Sequence, residues 1–492
     1  MKTIFTLFAV IISFTISAQA INIPDANFKE YLVTNTQINT NGDSEIQLSE
    51  ASNFTGEINC SSRNISNLTG LEWFINLSSL NCSYNPLNTL TLFNNLKLKT
   101  LYCFQSNLTY IDLTQNLLLE TLECSNNNLT NIDISKNTAL IKLGCISNKL
   151  TSLDISKNIA LESLMCFQNQ LTGLDVSKNL ALKTLILWEN KITSLDTSKN
   201  IQLEELICSM NPLTNIDVSK NINLIKLDCM SNQLTSLDIS KNVELKYLAC
   251  SNNQLSVIDI TNNKRLNEIS CNFNKLTNLD ISNQSELTNL SFENNQITNI
   301  NLSKNPLLYL LSFANNYINE IDVSNKPDLV FFDCSHNNII NLDLSKNSKL
   351  FYFLCSSNNL KSLNLKNGNN SNMLSPALGN NPNLTCIQVD DVSYSNTNWP
   401  NKDSWASYST NCSLGVDDVK KLTTQLYPNP VKDTFIINTN DKIENVEIYS
   451  QTGQLLKTSK SKEVDISNLP KGNYLVKIKT DKDNITQKII KE

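Results

Sequence analysis

Cysteines recur along this chain at intervals of 21 residues or multiples of 21, and this regularity leaves few folds open. The skipped positions hold other apolar residues, Leu187, Phe292 and Phe313. The cysteines in this register are Cys60, one slightly longer interval upstream, then Cys82, Cys103, Cys124, Cys145, Cys166, Cys208, Cys229, Cys250, Cys271, Cys334 and Cys355. Fifteen repeats thus follow one another. A constant period of this length is typical of a solenoid, in which each repeat packs on its neighbours.

One repeat shows how such a solenoid is built. Residues 140–150 read LIKLGCISNKL, and residues 151–158 read TSLDISKN. Leu143 and Cys145 alternate with outward-facing residues, which predicts a short strand in a stacked parallel sheet. The asparagine equivalent to Asn148 recurs in nearly every repeat, with Ser106 as a break. This recurrence predicts a ladder of buried amides that satisfies the turn after each strand.

The pattern LxxLxCxxNxL resembles the leucine-rich repeat, in the bacterial class with 21 residues per repeat. The resemblance extends from roughly Glu57 to Leu365. It implies a horseshoe or superhelical leucine-rich-repeat solenoid with a parallel β-sheet on its concave face. It also implies that a ligand binds the outward strand positions of that face.

Two kinds of cysteine are expected. Neighbouring strands lie about 4.8 Å apart, whereas a disulfide brings Cβ atoms to about 3.8 Å, so we expect buried free thiols in the register; metal or redox chemistry is the alternative. Cys386 and Cys412 lie outside the register and flank a segment with Trp399 and Trp405. That segment resembles C-terminal caps of this repeat class, and we predict a disulfide between the two cysteines.

The N-terminal residues predict export and a cap. Lys2, an apolar run and the small-residue sequence AQA at 18–20 predict a signal peptide. Beyond it, NTNGDSEIQLSE at 39–50 matches an EF-hand loop in its oxygen-bearing residues. The predicted calcium ligands are Asn39, Asn41, Asp43 and Glu50. The alternative is a structural cap without useful affinity, since asparagine opens the loop and Ser44 stands where glycine makes the sharp turn.

Alternating apolar and polar residues after Leu426 predict a small antiparallel β-sandwich. This region resembles the C-terminal sorting domain read by the type IX secretion system of certain Gram-negative bacteria, and an independent adhesion domain is the alternative. The matching sequences are YPNP at 427–430, Gly453, LPKGNY at 469–474 and KIIK at 488–491. The resemblance implies passage through the outer membrane by the type IX machinery, then release or attachment at the cell surface.

These patterns predict the domain organisation of the chain. The predicted parts are a signal peptide at 1–20, an N-terminal cap at 21–56, the repeats at 57–365, a C-terminal cap at 366–412, a linker at 413–425 and the sorting domain at 426–492.

A ligand site is predicted in the middle of the sheet, where apolar residues replace the small polar ones found elsewhere. They are Ile146, Met165, Phe167, Ile186, Trp188, Ile207, Met210 and Met230. A contiguous exposed apolar patch indicates a protein interface. Aromatic residues beside Gln168 would also suit a glycan, and packing on a second copy or a passive surface are further alternatives.

Composition excludes several other functions. The net charge is -6 and the basic residues are scattered, which argues against nucleic acid. The single histidine, His336, and the absence of a nucleophile, base and orienting group in one pattern argue against an enzyme. No stretch reaches the length of a transmembrane helix. We therefore predict a secreted binding protein without a cofactor, with calcium in the N-terminal loop as the alternative.

Overall fold

The computed structural model describes residues 19–412, 425–439, 441–450, 453–481 and 484–492. The predicted signal peptide up to residue 18 and the predicted linker up to residue 424 therefore lie outside the described residues. The chain divides into two compact units, Met1–Cys412 and Ser413–Glu492.

Within residues 19–412 the structure contains three α-helices, two short 3-10 helices (Leu71–Trp73 and Asn370–Asn372) and nineteen strands. The helices are α1 (Ala26–Thr34), α2 (Leu48–Asn53) and α3 (Val392–Asn398). The strands are β1 (Glu57–Asn59), β2 (Ser79–Asn81), β3 (Thr100–Tyr102), β4 (Thr121–Glu123), β5 (Lys142–Gly144), β6 (Ser163–Met165), β7 (Thr184–Ile186), β8 (Glu205–Ile207), β9 (Lys226–Asp228), β10 (Tyr247–Ala249), β11 (Glu268–Ser270), β12 (Asn289–Ser291), β13 (Leu310–Ser312), β14 (Phe331–Asp333), β15 (Asn341–Asp343), β16 (Tyr352–Leu354), β17 (Ser362–Asn364), β18 (Cys386–Gln388) and β19 (Ser407–Ser409).

The predicted solenoid with a parallel sheet is confirmed. Strands β1 to β14 and β16 form one fifteen-stranded sheet in which each strand pairs with the next repeat. Equivalent residues pair in register, as Leu143 does with Leu164 and Leu185 with Leu206. The middle residue of every strand of this sheet is buried in one continuous core, together with the cysteine, leucine or phenylalanine that follows the strand. Every repeat therefore contributes the same layer to the core.

The repeat pattern does not predict a second parallel sheet, which is formed by the second half of the last repeats and by the segment that follows them. Strands β15, β17, β18 and β19 pair in that order. The first of them, Asn341-Leu342-Asp343, has the same sequence character as earlier repeats that form no strand there. Hydrogen bonding between these segments therefore depends on how closely successive turns stack, which the sequence of one repeat does not specify.

The twelve cysteines in the repeat register are free and buried, as predicted. Burial among apolar side chains raises the pKa of each thiol, to about 12 for Cys124 and Cys166. A thiol with so high a pKa stays protonated and unreactive at neutral pH. Cys386 and Cys412 form the predicted disulfide, with their Cα atoms 5.8 Å apart.

The second unit consists of two antiparallel sheets, which confirms the predicted small sandwich. Its strands are β20 (Gln425–Tyr427), β21 (Thr434–Asn438), β22 (Ile443–Tyr449), β23 (Leu455–Ser459), β24 (Glu463–Asp465), β25 (Gly472–Thr480) and β26 (Asn484–Lys491). One sheet has the order β20-β21-β24 and the other β23-β22-β25-β26. Alternating residues such as Phe435, Val446 and Val476 fill the core between them.

Candidate functional site

The sheet face is the set of solvent-facing residues in each repeat of the fifteen-stranded sheet. It comprises the first and third residues of the strand and the two residues after the cysteine position. Backbone pairing brings equivalent residues of successive repeats side by side, so each of these positions forms a row along the sheet. Strands in such a sheet are about 4.8 Å apart, which sets the spacing along a row.

The eight residues of the predicted site, which we call the apolar strip, lie together on the sheet face. Met165, Ile186 and Ile207 are partners in adjacent strands. In the next row Phe167 stacks on Trp188, with ring centroids 4.6 Å apart and planes at 17°, and Ile146 precedes them in the same row. Met210 is 50% exposed. The other members are half-buried.

Met210 and Met230 extend the apolar strip towards the C-terminal repeats. The backbone amide of Met210 donates to the carbonyl of Met230 at 2.9 Å, which places the two residues in neighbouring turns. Met210 has a positive φ of 53°, as do the equivalent residues of other repeats. The left-handed backbone at this position turns the side chain out beside the strand, where it is open to solvent.

A half-buried carboxylate lies at each end of the apolar part of the row that contains Met165. Glu123 and Gly144 precede Met165 in this row, and Asp228 follows Ile207. Burial raises the pKa of Glu123, with nearby Lys142 opposing the shift. Burial likewise raises the pKa of Asp228, although the backbone amide of Met230 donates to its Oδ1. The two carboxylates are about 24 Å apart, five strand spacings.

Gly144 is the reason that the Glu123 carboxylate lies against the sheet. A Cβ atom built at residue 144 would overlap this carboxylate, so the missing side chain provides its space. Within the residues that the structure describes, no hydrogen bond to the Glu123 carboxylate is found. Sequence reasoning missed both acids because it searched for apolar residues only.

Net negative charge is concentrated on the sheet face. The face contains two lysines, Lys142 and Lys226, and Lys226 pairs with Glu205 at 2.9 Å. Its acidic residues are Glu57, Glu123, Glu189, Glu205, Asp228, Glu268, Glu293 and Asp333. Eight acidic side chains against two lysines give the sheet face a net charge of -6.

Sequence reasoning also missed an aromatic cluster near the C-terminal end of the sheet. Phe331 stacks on Tyr352 with centroids 4.7 Å apart and planes at 12°. Tyr309 and Phe351 are about half exposed beside them, at 51% and 46%. The signal was present, since Phe331 and Tyr352 are 21 residues apart, but they precede the cysteine by three positions. The predicted site covers only the position before the cysteine and the two positions after it.

Three of the predicted calcium ligands lie in one loop and Glu50 lies in the helix α2 that follows it, and the oxygens of all four already accept hydrogen bonds. Asn39 is buried and its Oδ1 accepts from the amide of Gly42, while Asn41 Nδ2 donates to Asp43 Oδ2 at 2.9 Å. Glu50 accepts from the amides of Asn41 and of residues 40 and 47. Gln47, which sequence reasoning did not include, donates to Asp43 Oδ2 at 2.9 Å. Calcium binding at this loop stays a prediction.

The sorting sequences of the second unit meet in space. Asn429, in the YPNP sequence, donates to the carbonyl of Lys488 at 3.0 Å and accepts from the amide of Ile490 at 2.9 Å. Lys491 is buried and its Nζ contacts the carbonyl of Lys432. The first and last sequence motifs of this unit therefore form one hydrogen-bonded structure.

The comparisons with known proteins agree with these two units. Residues 425–492 match the family described as secretion system C-terminal sorting domain. The functional domain of InlJ from Listeria monocytogenes, described as including a cysteine ladder, is 28% identical with a TM-score of 0.63; the match covers 96% of this chain and 98% of that one. No curated protein sequence matches this chain.

Two further solved structures share the fold at lower identity. A leucine-rich-repeat protein from Leptospira interrogans is 23% identical with a TM-score of 0.60, covering 70% of this chain and 91% of that one. The ectodomain of the receptor kinase GASSHO1/SCHENGEN3 from Arabidopsis thaliana is 21% identical with a TM-score of 0.53, covering 66% and 45%. The first unit is a leucine-rich-repeat solenoid. Within the described part of the chain, none of the helices is long and apolar enough to cross a membrane.

Proposed function

We propose that this chain is a secreted leucine-rich-repeat binding protein, presented at or released from the outer cell surface, that recognises a protein through the apolar strip. The sorting domain supports secretion by the type IX machinery, and the solenoid supports protein binding rather than catalysis. The observation that carries the proposal is the contiguous apolar strip, with its stacked Phe167 and Trp188, in the middle of the sheet face.

The chemistry of the strip supports a protein interface. Aromatic residues and methionine are enriched at the centres of such interfaces, because they bury much area and adapt their shape. The stacked pair would serve as a rigid anchor, since each ring already restricts the other. Serines such as Ser125 and Ser251 occupy the same row in flanking repeats and would form the polar rim.

A glycan ligand is the second candidate, and the stacking argues against it. A sugar ring binds to an open aromatic face, whereas Phe167 and Trp188 each cover one face of the other. The neighbouring amide is engaged as well: Gln168 accepts from Ser147 at 2.6 Å and donates to Glu189 at 2.9 Å. The geometry therefore favours an apolar protein surface over a hydroxyl-rich ligand.

The test is capture of ligands by the full-length protein from host and co-resident cell extracts and from a glycan panel. The variant Phe167→Ser/Trp188→Ser removes the stacked anchor, and Tyr84→Ser/Phe104→Ser is a matched control, an edge-to-face aromatic pair elsewhere on the sheet face. We expect one captured protein to be lost with the first variant and retained with the second, with both folded by circular dichroism.

Two results would contradict the proposal. Equal capture by the two variants would show that the strip is passive. Capture of a glycan that survives Phe167→Ser/Trp188→Ser would move the site to another surface of the protein.

A further inference from the structure

The apolar strip lies within an acidic surround. Its two end carboxylates, Glu123 and Asp228, belong to the same row as Met165 and Ile186, the row formed by the third residue of each strand. Glu189 and Glu205 lie beside the strip between these ends. The sheet face has eight acidic residues against two lysines, so a partner approaching the strip meets a negative potential.

The end carboxylates are incompletely compensated. Glu123 lies over Gly144, which leaves room for its carboxylate, and the carboxylate has no hydrogen bond among the described residues. Asp228 accepts one backbone hydrogen bond, from the amide of Met230 at 3.1 Å, and its nearest lysine, Lys226, is shared with Glu205 at 2.9 Å. A carboxylate that has already lost part of its hydration gains more from an arriving cation than a fully solvated one does. Burial raises the pKa of both groups, which is consistent with this state.

We infer that the partner is a protein segment with an apolar centre and a lysine or arginine at each end, whose cations pair with Glu123 and Asp228. This inference rests on the proposed function and specifies the chemistry of its ligand. The distance between the carboxylates, about 24 Å, equals the length of a helix of about 16 residues. The apolar centre would cover Met165, Ile186 and Ile207 between the two ion pairs.

The test uses two synthetic helical peptides of about 16 residues with the same apolar face. One has lysine at both ends and the other has glutamate, and each is titrated with the full-length protein by fluorescence anisotropy. We expect the lysine peptide to bind about tenfold more tightly at low salt, and the preference to shrink as salt screens the charges. Equal binding of the two peptides, or no binding of either, would overturn the inference.

Charge-neutral variants locate the effect. Glu123→Gln/Asp228→Asn should remove most of the preference for the lysine peptide, whereas Glu268→Gln/Asp333→Asn, which removes the same two charges on the same face outside the strip, should preserve it. A preference that survives Glu123→Gln/Asp228→Asn would overturn the assignment to these two residues. Salt dependence in the wild-type protein gives a readout that does not depend on any variant folding.

Failure of this inference and failure of the proposed function are distinguishable. If Phe167→Ser/Trp188→Ser abolishes capture of a protein while the peptides show no charge preference, the strip is an interface and the cationic partner is wrong. If that variant has no effect on capture, the proposed function itself is wrong.

Discussion

Two rows of asparagines run through this solenoid, and the same amide group has different surroundings in each. The strand-side ladder follows the sheet and comprises Asn85, Asn127, Asn148, Asn169, Asn190, Asn211, Asn232, Asn253, Asn274, Asn295, Asn316, Asn337 and Asn358. The turn-side ladder lies in the second half of each repeat and includes Asn95, Asn116, Asn137, Asn158, Asn179, Asn200, Asn221, Asn242, Asn263, Asn305 and Asn347. Both rows are largely buried, yet every amide of the strand-side ladder has partners for its donor and its acceptor, whereas in the turn-side ladder named here only Asn221 does.

In the strand-side ladder, donor and acceptor are both used. Asn148 Nδ2 lies within 3.2 Å of three carbonyl oxygens in its own and the preceding repeat, and its Oδ1 accepts from the amide of Leu129 at 3.0 Å. In the turn-side ladder Asn158 donates to the carbonyls of Ile134 and Asn137, but its Oδ1 has no partner among the described residues. The left-handed turn after each strand supplies an inward amide that the other turn lacks.

The largest expected effect separates the two ladders directly. Asn148→Ala should lower the free energy of unfolding by about 3 kcal/mol, because it leaves both an amide and carbonyls unsatisfied. Asn158→Ala should cost about 2 kcal/mol, since it also removes a buried oxygen that had no partner. Urea denaturation measures both, with exposed Asn131→Ala as the control within about 0.5 kcal/mol of wild type. If Asn148→Ala and Asn158→Ala lowered the free energy of unfolding equally, the proposed difference between the two ladders would be wrong.

Lys326 is an exception in the turn-side ladder, because a buried lysine occupies the position at which most other repeats have asparagine. Burial lowers the pKa of Lys326 to about 8, with Asp322 opposing the shift. The folded protein thus binds fewer protons than the unfolded chain between about pH 8 and 10.5, so stability should rise with pH there. We expect a gain of about 2 kcal/mol across this range in wild type and none in Lys326→Asn.

Denaturation of wild type and Lys326→Asn at pH 7 and pH 10 makes this measurement. Lys326→Asn should be the more stable protein at pH 7, because its amide would reach the carbonyls of residues 302 and 305 by the ladder register. Lys346→Asn, at an exposed neighbouring position, is the control for removal of a lysine. Parallel pH profiles for wild type and Lys326→Asn would show that the lysine is charged and solvated in the fold.

The smallest expected effect concerns a single hydroxyl. Thr197 Oγ1 donates to Asn221 Oδ1 at 2.8 Å, so this member of the turn-side ladder has the partner that its neighbours lack. Thr197→Val should lower the free energy of unfolding by about 1 kcal/mol. In a separate variant, Val176→Thr should raise the free energy of unfolding by part of that amount, because the new hydroxyl would donate to Asn200 Oδ1. Thermal or urea unfolding checks both changes. A stabilising Thr197→Val would mean that the hydroxyl costs more to bury than its bond returns.

Much of the candidate site could be predicted from the sequence because of the constant period. Once Cys145 and Cys166 are aligned, Ile146 and Phe167 must be neighbours, so the members of the apolar strip followed from counting. Glu123 required the structure, since its position over Gly144 depends on which side chain fills the space beside it. The stacking of Phe167 on Trp188 likewise depends on side-chain rotation, which a period does not specify.

The sequence by itself determined the path of the chain, because each repeat places the same apolar residues inward and stacks on an identical neighbour. It also determined that the register cysteines are buried and free, since Leu187, Phe292 and Phe313 replace them without loss of the pattern. Only the tertiary structure decided which amide oxygens find a donor and where the second sheet forms. Both depend on how neighbouring turns pack against one another, which the pattern of a single repeat does not specify.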